Sequence, residues 1–195
     1  MNDYLKEFRS IYHTDHPTIN HNSLLRQIRP KDWGSIRETL IFKYSFAIPD
    51  DNIIQMLARL SPLIEIGAGT SYWAKLITEA GGDIIAFDTK KENRWTESYF
   101  DVQNGSCEHI KKHKDRTLFL CWSPYWNDMD IQCLKLYEGQ TVIYVGEGQH
   151  GCTGTNEFFE YLDEHFKEID WFSLPQWPGM HDGLSIWKRT EESNE

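Results

Sequence analysis

Two glycines, Gly67 and Gly69, follow the apolar run Leu63-Ile64-Glu65-Ile66, and a carboxylate, Asp88, closes the next apolar run Ile84-Ile85-Ala86-Phe87, 21 residues after Gly67. Glycine adopts positive φ without strain and leaves the backbone open to close approach by a ligand. A carboxylate at the end of the following strand accepts hydrogen bonds from both hydroxyls of a ribose. This is chemistry for holding a nucleoside. The dinucleotide fingerprint needs a third glycine where this chain has Tyr72, and Glu65 brings negative charge to a turn that would otherwise take a pyrophosphate. Both features disfavour NAD. They suit a phosphate-free cationic adenosyl ligand, S-adenosylmethionine, whose ammonium Glu65 attracts directly or through water. The competing reading is a tight turn with a strand-end glutamate and no ligand.

Those residues need elements to hold them. Pro49-Asp50-Asp51 offers a cap, and Ile53, Ile54, Leu57 and Leu60 recur at helical spacing until Pro62. Leu63 to Ile66 then reads as a buried strand. After the glycine turn, Thr70 or Ser71 can cap a helix carrying Trp73, Leu76, Ile77 and Ala80, stopped by Gly81-Gly82. Ile84 to Phe87 completes a strand, turn, helix, strand unit, which implies parallel strands joined by a crossover. Thr117 to Trp122 and Thr141 to Val145 read as further core strands, separated by a helix-compatible segment with Met129, Cys133, Leu134 and Leu136. Thr155 or Asn156 caps a helix whose inner side carries Phe158, Phe159, Leu162 and Phe166. Residues 169–174 and 184–187, split by the Pro- and Gly-containing stretch 175–183, suit an antiparallel pair. The expected fold is a three-layer α/β sandwich: a Rossmann-like, doubly wound, mostly parallel sheet with an antiparallel last strand.

Ile64-Glu65-Ile66-Gly67-Ala68-Gly69-Thr70, with Asp88 after it, resembles motifs I and II of class I S-adenosylmethionine-dependent methyltransferases. The resemblance runs from about Tyr44 to Arg189, because the Trp171 to Trp187 hairpin also fits that family's last two strands. Gly146-Glu147-Gly148, Gly151-Cys152-Thr153-Gly154 and Leu174-Pro175-Gln176-Trp177-Pro178-Gly179 are similar to a largely uncharacterised subgroup of such proteins. The resemblance implies S-adenosylmethionine as cofactor, S-adenosylhomocysteine as product, and Glu65, Gly67, Ala68, Gly69 and Asp88 among the residues that bind it. Tyr44, in the segment before the first core helix, resembles a loop that closes over the cofactor, and Trp122 is assigned to the same site. On this reading residues 1–43 form an amino-terminal extension, 44–190 the methyltransferase domain and 191–195 a polar tail.

Cys121-Trp122-Ser123-Pro124-Tyr125-Trp126 is similar to motif IV of amine-directed methyltransferases, with Tyr125 in place of a second proline. In that pattern Ser123 and the Pro124 carbonyl accept hydrogen bonds from the target nitrogen, and Trp126 stacks on a flat acceptor. The same aromatic residues can instead simply cover a strand end. Glu147 and His150 follow the Thr141 to Val145 strand, where each is either an acceptor of the substrate proton or an exposed loop residue. His181 and Asp182, in the last turn, carry the same pair of readings. The expected activity is methyl transfer to a nitrogen or oxygen nucleophile, the acceptor a small molecule or a protein side chain. The alternative is a non-catalytic S-adenosylmethionine-binding partner or sensor, with an NAD-linked oxidoreductase ranked last.

Twenty Lys and Arg against 30 Asp and Glu give a formal net charge of −10, which disfavours nucleic acid as a partner. The first 46 residues run the other way, with seven Lys/Arg against five Asp/Glu, and lack sustained periodicity. His13, His16 and His21 flank Pro17 there without a fourth well-spaced ligand, so no metal is assigned. Eight Trp and an aromatic fraction of 14% indicate a folded core. The four cysteines form no C-x-x-C pair, and the chain shows neither a membrane span nor a signal peptide, so a cytoplasmic protein with reduced thiols is expected. Oligomeric state is not encoded in these patterns.

Overall fold

The computed structural model describes residues 1–11, 30–89 and 98–190, and the backbone alone for 30–33. The histidines around Pro17 and the polar tail lie outside the described residues. Helix α3 (Asp51–Arg59) opens as expected: the Asp50 carboxylate accepts the Asn52 amide at 2.8 Å and frees the helix of one orphan donor. Strand β1 (Leu63–Ile66), helix α4 (Tyr72–Glu79) and strand β2 (Ile84–Asp88) then form the predicted parallel unit, with Ile64 paired to Ile85 and Ile66 to Phe87. Strand β4 (Thr117–Cys121), helix α5 (Met129–Leu136), strand β5 (Thr141–Gly146) and helix α6 (Asn156–His165) extend it. Thr155 caps α6, its hydroxyl accepting the Phe158 amide at 3.2 Å.

The chain closes with β6 (Phe166–Ser173) and β7 (Gly183–Arg189). The described sheet has seven strands in the order β3-β2-β1-β4-β5-β7-β6, where β3 is the short edge strand Val102–Asn104. Strand β7 runs antiparallel to both its neighbours. This is the doubly wound α/β sandwich with an antiparallel last strand that the sequence implied. Phe166, expected on the inner side of α6, instead starts β6, and both the edge strand and the 3₁₀ turn Cys107–Lys112 are too short for periodicity to reveal.

Alternating strand residues face opposite layers. Leu63, Ala86, Phe119, Ile143, Val145, Leu184 and Ile186 meet Ile53, Leu57, Trp73 and Ile77 of α3 and α4. Ile64, Ile66, Phe87, Leu118, Leu120, Val142 and Tyr144 meet Ile131 and Leu134 of α5 and Phe158, Phe159 and Leu162 of α6. Strand β1, covered on both faces, is buried at every position, Glu65 included, which is why its other three residues are all apolar.

Parts of the amino-terminal stretch pack into the core. Helix α1 (Asp3–Ile11) buries Tyr4, Leu5 and Phe8 in the first layer, and α2 (Pro30–Lys43) follows. The Tyr4 amide donates to the Tyr72 hydroxyl at 3.2 Å, and the Trp177 indole N–H donates to the Tyr4 hydroxyl at 3.0 Å. A nine-residue helix gives little periodic signal, and the groups that bury this one lie far along the chain.

Candidate functional site

The glycine turn is built by the end of β1 curling toward β2. The amides of Gly67 and Ala68 donate to the Phe87 carbonyl at 2.9 and 3.1 Å, and the Gly69 amide donates to Asp88 Oδ2 at 2.7 Å. The two ends of the predicted nucleoside site are therefore in direct contact. Gly67 and Gly69 have φ of 79° and 55°, the left-handed region that a side chain resists. A Cβ on Gly67 would also lie 3.1 Å from Met129 Sδ at the start of α5.

Ser71 follows in the same left-handed region, at φ 61°, and its side chain makes no cap bond, whereas the Thr70 hydroxyl accepts the amide of Tyr72, the first residue of α4, at 3.3 Å. The Ser71 hydroxyl accepts the Phe100 amide at 2.9 Å instead, anchoring the chain that returns toward the edge strand. Thr70 donates its hydroxyl to the Tyr44 carbonyl, tying the segment before α3 to the turn. The Tyr44 ring stacks on Tyr4 at 5.0 Å, and its hydroxyl donates to Glu7 Oε1 at 2.5 Å.

Glu65 lies behind the turn and is almost wholly buried, and its Oε2 has no hydrogen-bond partner. Burial, with the Asp88 charge as a second contribution, pushes its carboxyl up to about 8. Burial also raises Asp88, opposed by the Gly69 and Thr89 amides. The left-handed turn thus has a strand-end carboxylate beside it and a buried acid with one unpartnered oxygen behind it.

The acceptor-side residues gather at the ends of β4, β5 and β7. Trp122, at φ 55°, turns out of β4 and stacks on Phe46 at 4.6 Å. Its indole N–H donates to Asp182 Oδ1 at 2.8 Å, and the Arg37 guanidinium lies 5.6 Å from the centre of its ring. The Ser123 carbonyl accepts the Gly154 amide at 2.8 Å, and Pro124 bridges to Thr153. The Ser123 hydroxyl is buried without a partner. Tyr125 and Trp126 meet edge to face at 5.1 Å and are exposed, Trp126 by 69%.

Glu147 is buried, with Oε1 accepting the His181 amide and Oε2 the Cys152 amide, both at 2.8 Å. Burial alone would raise its carboxyl, but these amides and the neighbouring His181 charge hold it below the ordinary range. His150 is an exposed turn residue at φ 68°.

Asp182 is fully buried and its Oδ2 has no partner. Burial raises its carboxyl to about 6, against the Trp122 hydrogen bond that favours the charged form. Sequence pattern alone placed Asp182 in a turn with an open role. The Trp122 contact spans 60 positions and no local spacing announces it.

No family profile and no curated protein matches the sequence. Solved structures similar to this chain include the magnesium protoporphyrin IX methyltransferase ChlM from Synechocystis PCC 6803 with bound SAM, at 9% identity and a TM-score of 0.49, covering 97% of this chain and 92% of that one. The N-methyltransferase NodS from Bradyrhizobium japonicum WM9 is similar at 12% identity and a TM-score of 0.49, covering 72% and 94%. An rRNA methylase from Streptococcus thermophilus is similar at 9% identity and a TM-score of 0.48, covering 72% and 94%.

Proposed function

We propose that this protein is an S-adenosylmethionine-dependent methyltransferase acting on a nitrogen or oxygen nucleophile of a small molecule. One observation carries the reading: the left-handed Gly67 and Gly69 turn is hydrogen-bonded to Asp88 in front of a buried Glu65 whose Oε2 has no partner. Asp88 would take the ribose hydroxyls and Glu65 the ammonium of the amino-acid tail, while Gly67, Ala68 and Gly69 keep the backbone low enough for the nucleoside to approach.

The bound cofactor supplies a methyl group already activated by its sulfonium, so the chain has chiefly to position the acceptor. Ser123 and the Pro124 carbonyl would orient the nucleophile, and Trp122, fixed by Phe46 and Asp182, forms the wall behind it. Tyr44 links the covering segment to the turn through its carbonyl, and the exposed Trp126 offers a face for an acceptor ring. Glu147, held by two amides, is a fixed negative charge at the rim and a weak base.

Titration calorimetry with S-adenosylhomocysteine, and with NAD as control, tests the cofactor assignment. Heat with the former alone is expected, and heat with NAD alone overturns it. Transfer of labelled methyl from S-adenosylmethionine into size-fractionated extract then tests turnover. Binding without label in any fraction would favour a non-catalytic sensor.

A further inference from the structure

Three polar atoms near the ends of β4 and β7 are buried with no partner: Asp182 Oδ2, Ser123 Oγ and Arg37 Nε. Leaving such atoms unsatisfied is costly, so three of them around one side chain point to a place that a polar ligand could complete. All three border Trp122. Asp182 bonds its indole, Ser123 follows it in the chain, and Arg37 lies over its ring.

Register puts this group next to the cofactor turn. Glu65 pairs with Phe119 and Cys121 with Val145, which pairs with Leu184, so Cys121 stands between Glu65 and the Asp182 end of β7. The Cys121 thiol is held well above its usual range by burial first and by the charges of Glu65 and Asp182.

We propose that Asp182 is the acceptor-binding carboxylate and that the methyl acceptor is a small amine entering as an ammonium. This rests on the methyltransferase reading and narrows its acceptor class. The charged groups around the site favour a cation: Asp182 itself and Glu147 at the end of β5 are two carboxylates set against Arg37 of α2 and the neighbouring His181, while Glu65, raised to about 8, adds no charge near neutral pH. The ammonium donates one hydrogen to Asp182 Oδ2 and another to Ser123 Oγ. Arg37 Nε offers a donor to any oxygen carried beside the nitrogen.

The steps balance in charge. Asp182 takes a proton from the ammonium and frees its lone pair. The N–C bond forms as the C–S bond breaks, and the bonding pair stays on sulfur. The positive charge passes from the sulfonium to the methylated ammonium product, and Asp182 returns its proton to solvent when that product leaves.

Benzylamine, benzyl alcohol and benzoate are probes of similar shape that differ in charge. Each is titrated into the protein, with and without S-adenosylhomocysteine, while the Trp122 indole N–H signal is followed by NMR and assigned with Trp122→Phe. The expected result is a saturable shift with benzylamine, at least fivefold weaker binding of the other two, and loss of the response in Asp182→Asn. That variant keeps an oxygen for the indole, so its melting temperature and its affinity for S-adenosylhomocysteine should match the wild type. Ser123→Ala, which removes only an orphan hydroxyl, should weaken the benzylamine response without unfolding.

Equal binding of benzyl alcohol, preference for benzoate, a response that survives in Asp182→Asn, or no response to any probe each overturns the proposal. Failure to bind S-adenosylhomocysteine in calorimetry would sink the cofactor reading separately, because the titration without it still reports on Asp182.

Discussion

Raising the pH from about 6 to about 7 should tighten S-adenosylhomocysteine binding nearly tenfold, and the cause is Glu65. Its carboxyl sits at about 8 in the free protein because burial disfavours the charge and Asp88 adds to it. An ammonium placed beside the orphan Oε2 favours the charged form and should return the group toward the ordinary range near about 4.3. Between those values, binding must expel close to one proton. Each pH unit below the free value then costs about 1.4 kcal/mol of binding, with a plateau near about pH 8, where the ligand's own ammonium begins to titrate.

Calorimetry in two buffers of different ionisation enthalpy counts the released proton directly. In Glu65→Gln the carboxylate is lost and the shape is kept, so the proton count should fall to zero and the pH slope should vanish. Wild type and variant should bind alike only near about pH 4 and diverge as pH rises. A wild-type affinity that is flat over this range, with no proton released, would refute the placement of the ammonium against Glu65.

The same group acts on stability in the opposite direction. A carboxyl raised on folding binds a proton in the native state after the unfolded chain has lost it, so its contribution declines from the unfolded value near about 4.5 until the native value near 8 is passed. The ligand-free protein should therefore melt at lower temperature as pH rises through that window, and Glu65→Gln should flatten the dependence in scanning calorimetry. Asp88→Ala should weaken S-adenosylhomocysteine binding by about 1 to 3 kcal/mol through loss of charge-assisted ribose hydrogen bonds while leaving the chain folded, and unchanged affinity in calorimetry would reject that role. Trp122→Phe removes the donor that holds Asp182 Oδ1 and should destabilise the protein by about 1 to 3 kcal/mol in denaturant titrations. Phe8→Ala should cost about 3 to 5 kcal/mol, because this ring lies edge-on to Trp177 at 5.0 Å in the core; a loss below about 1 kcal/mol would show that α1 is dispensable.

Residue order by itself determined the parts of this protein that depend on neighbours in the chain. The strand β1, the turn at Gly67 and Gly69, and Asp88 at the end of β2 are legible because a buried strand, a left-handed turn and a crossover each need fixed residue types at short separations. The Asp50 cap and the apolar faces of α3 and α4 follow from the same local rules.

Tertiary structure alone decided which side chains those elements bring together. Trp122 and Asp182 are 60 positions apart, and Tyr4 and Trp177 are 173 apart, so no period or motif connects them. It also decided that α1 belongs to the core and that Ser71 anchors Phe100 rather than capping α4. Above all it set burial: a glutamate and an aspartate that read as ordinary charges become groups near neutrality, because desolvation depends on everything packed around a site.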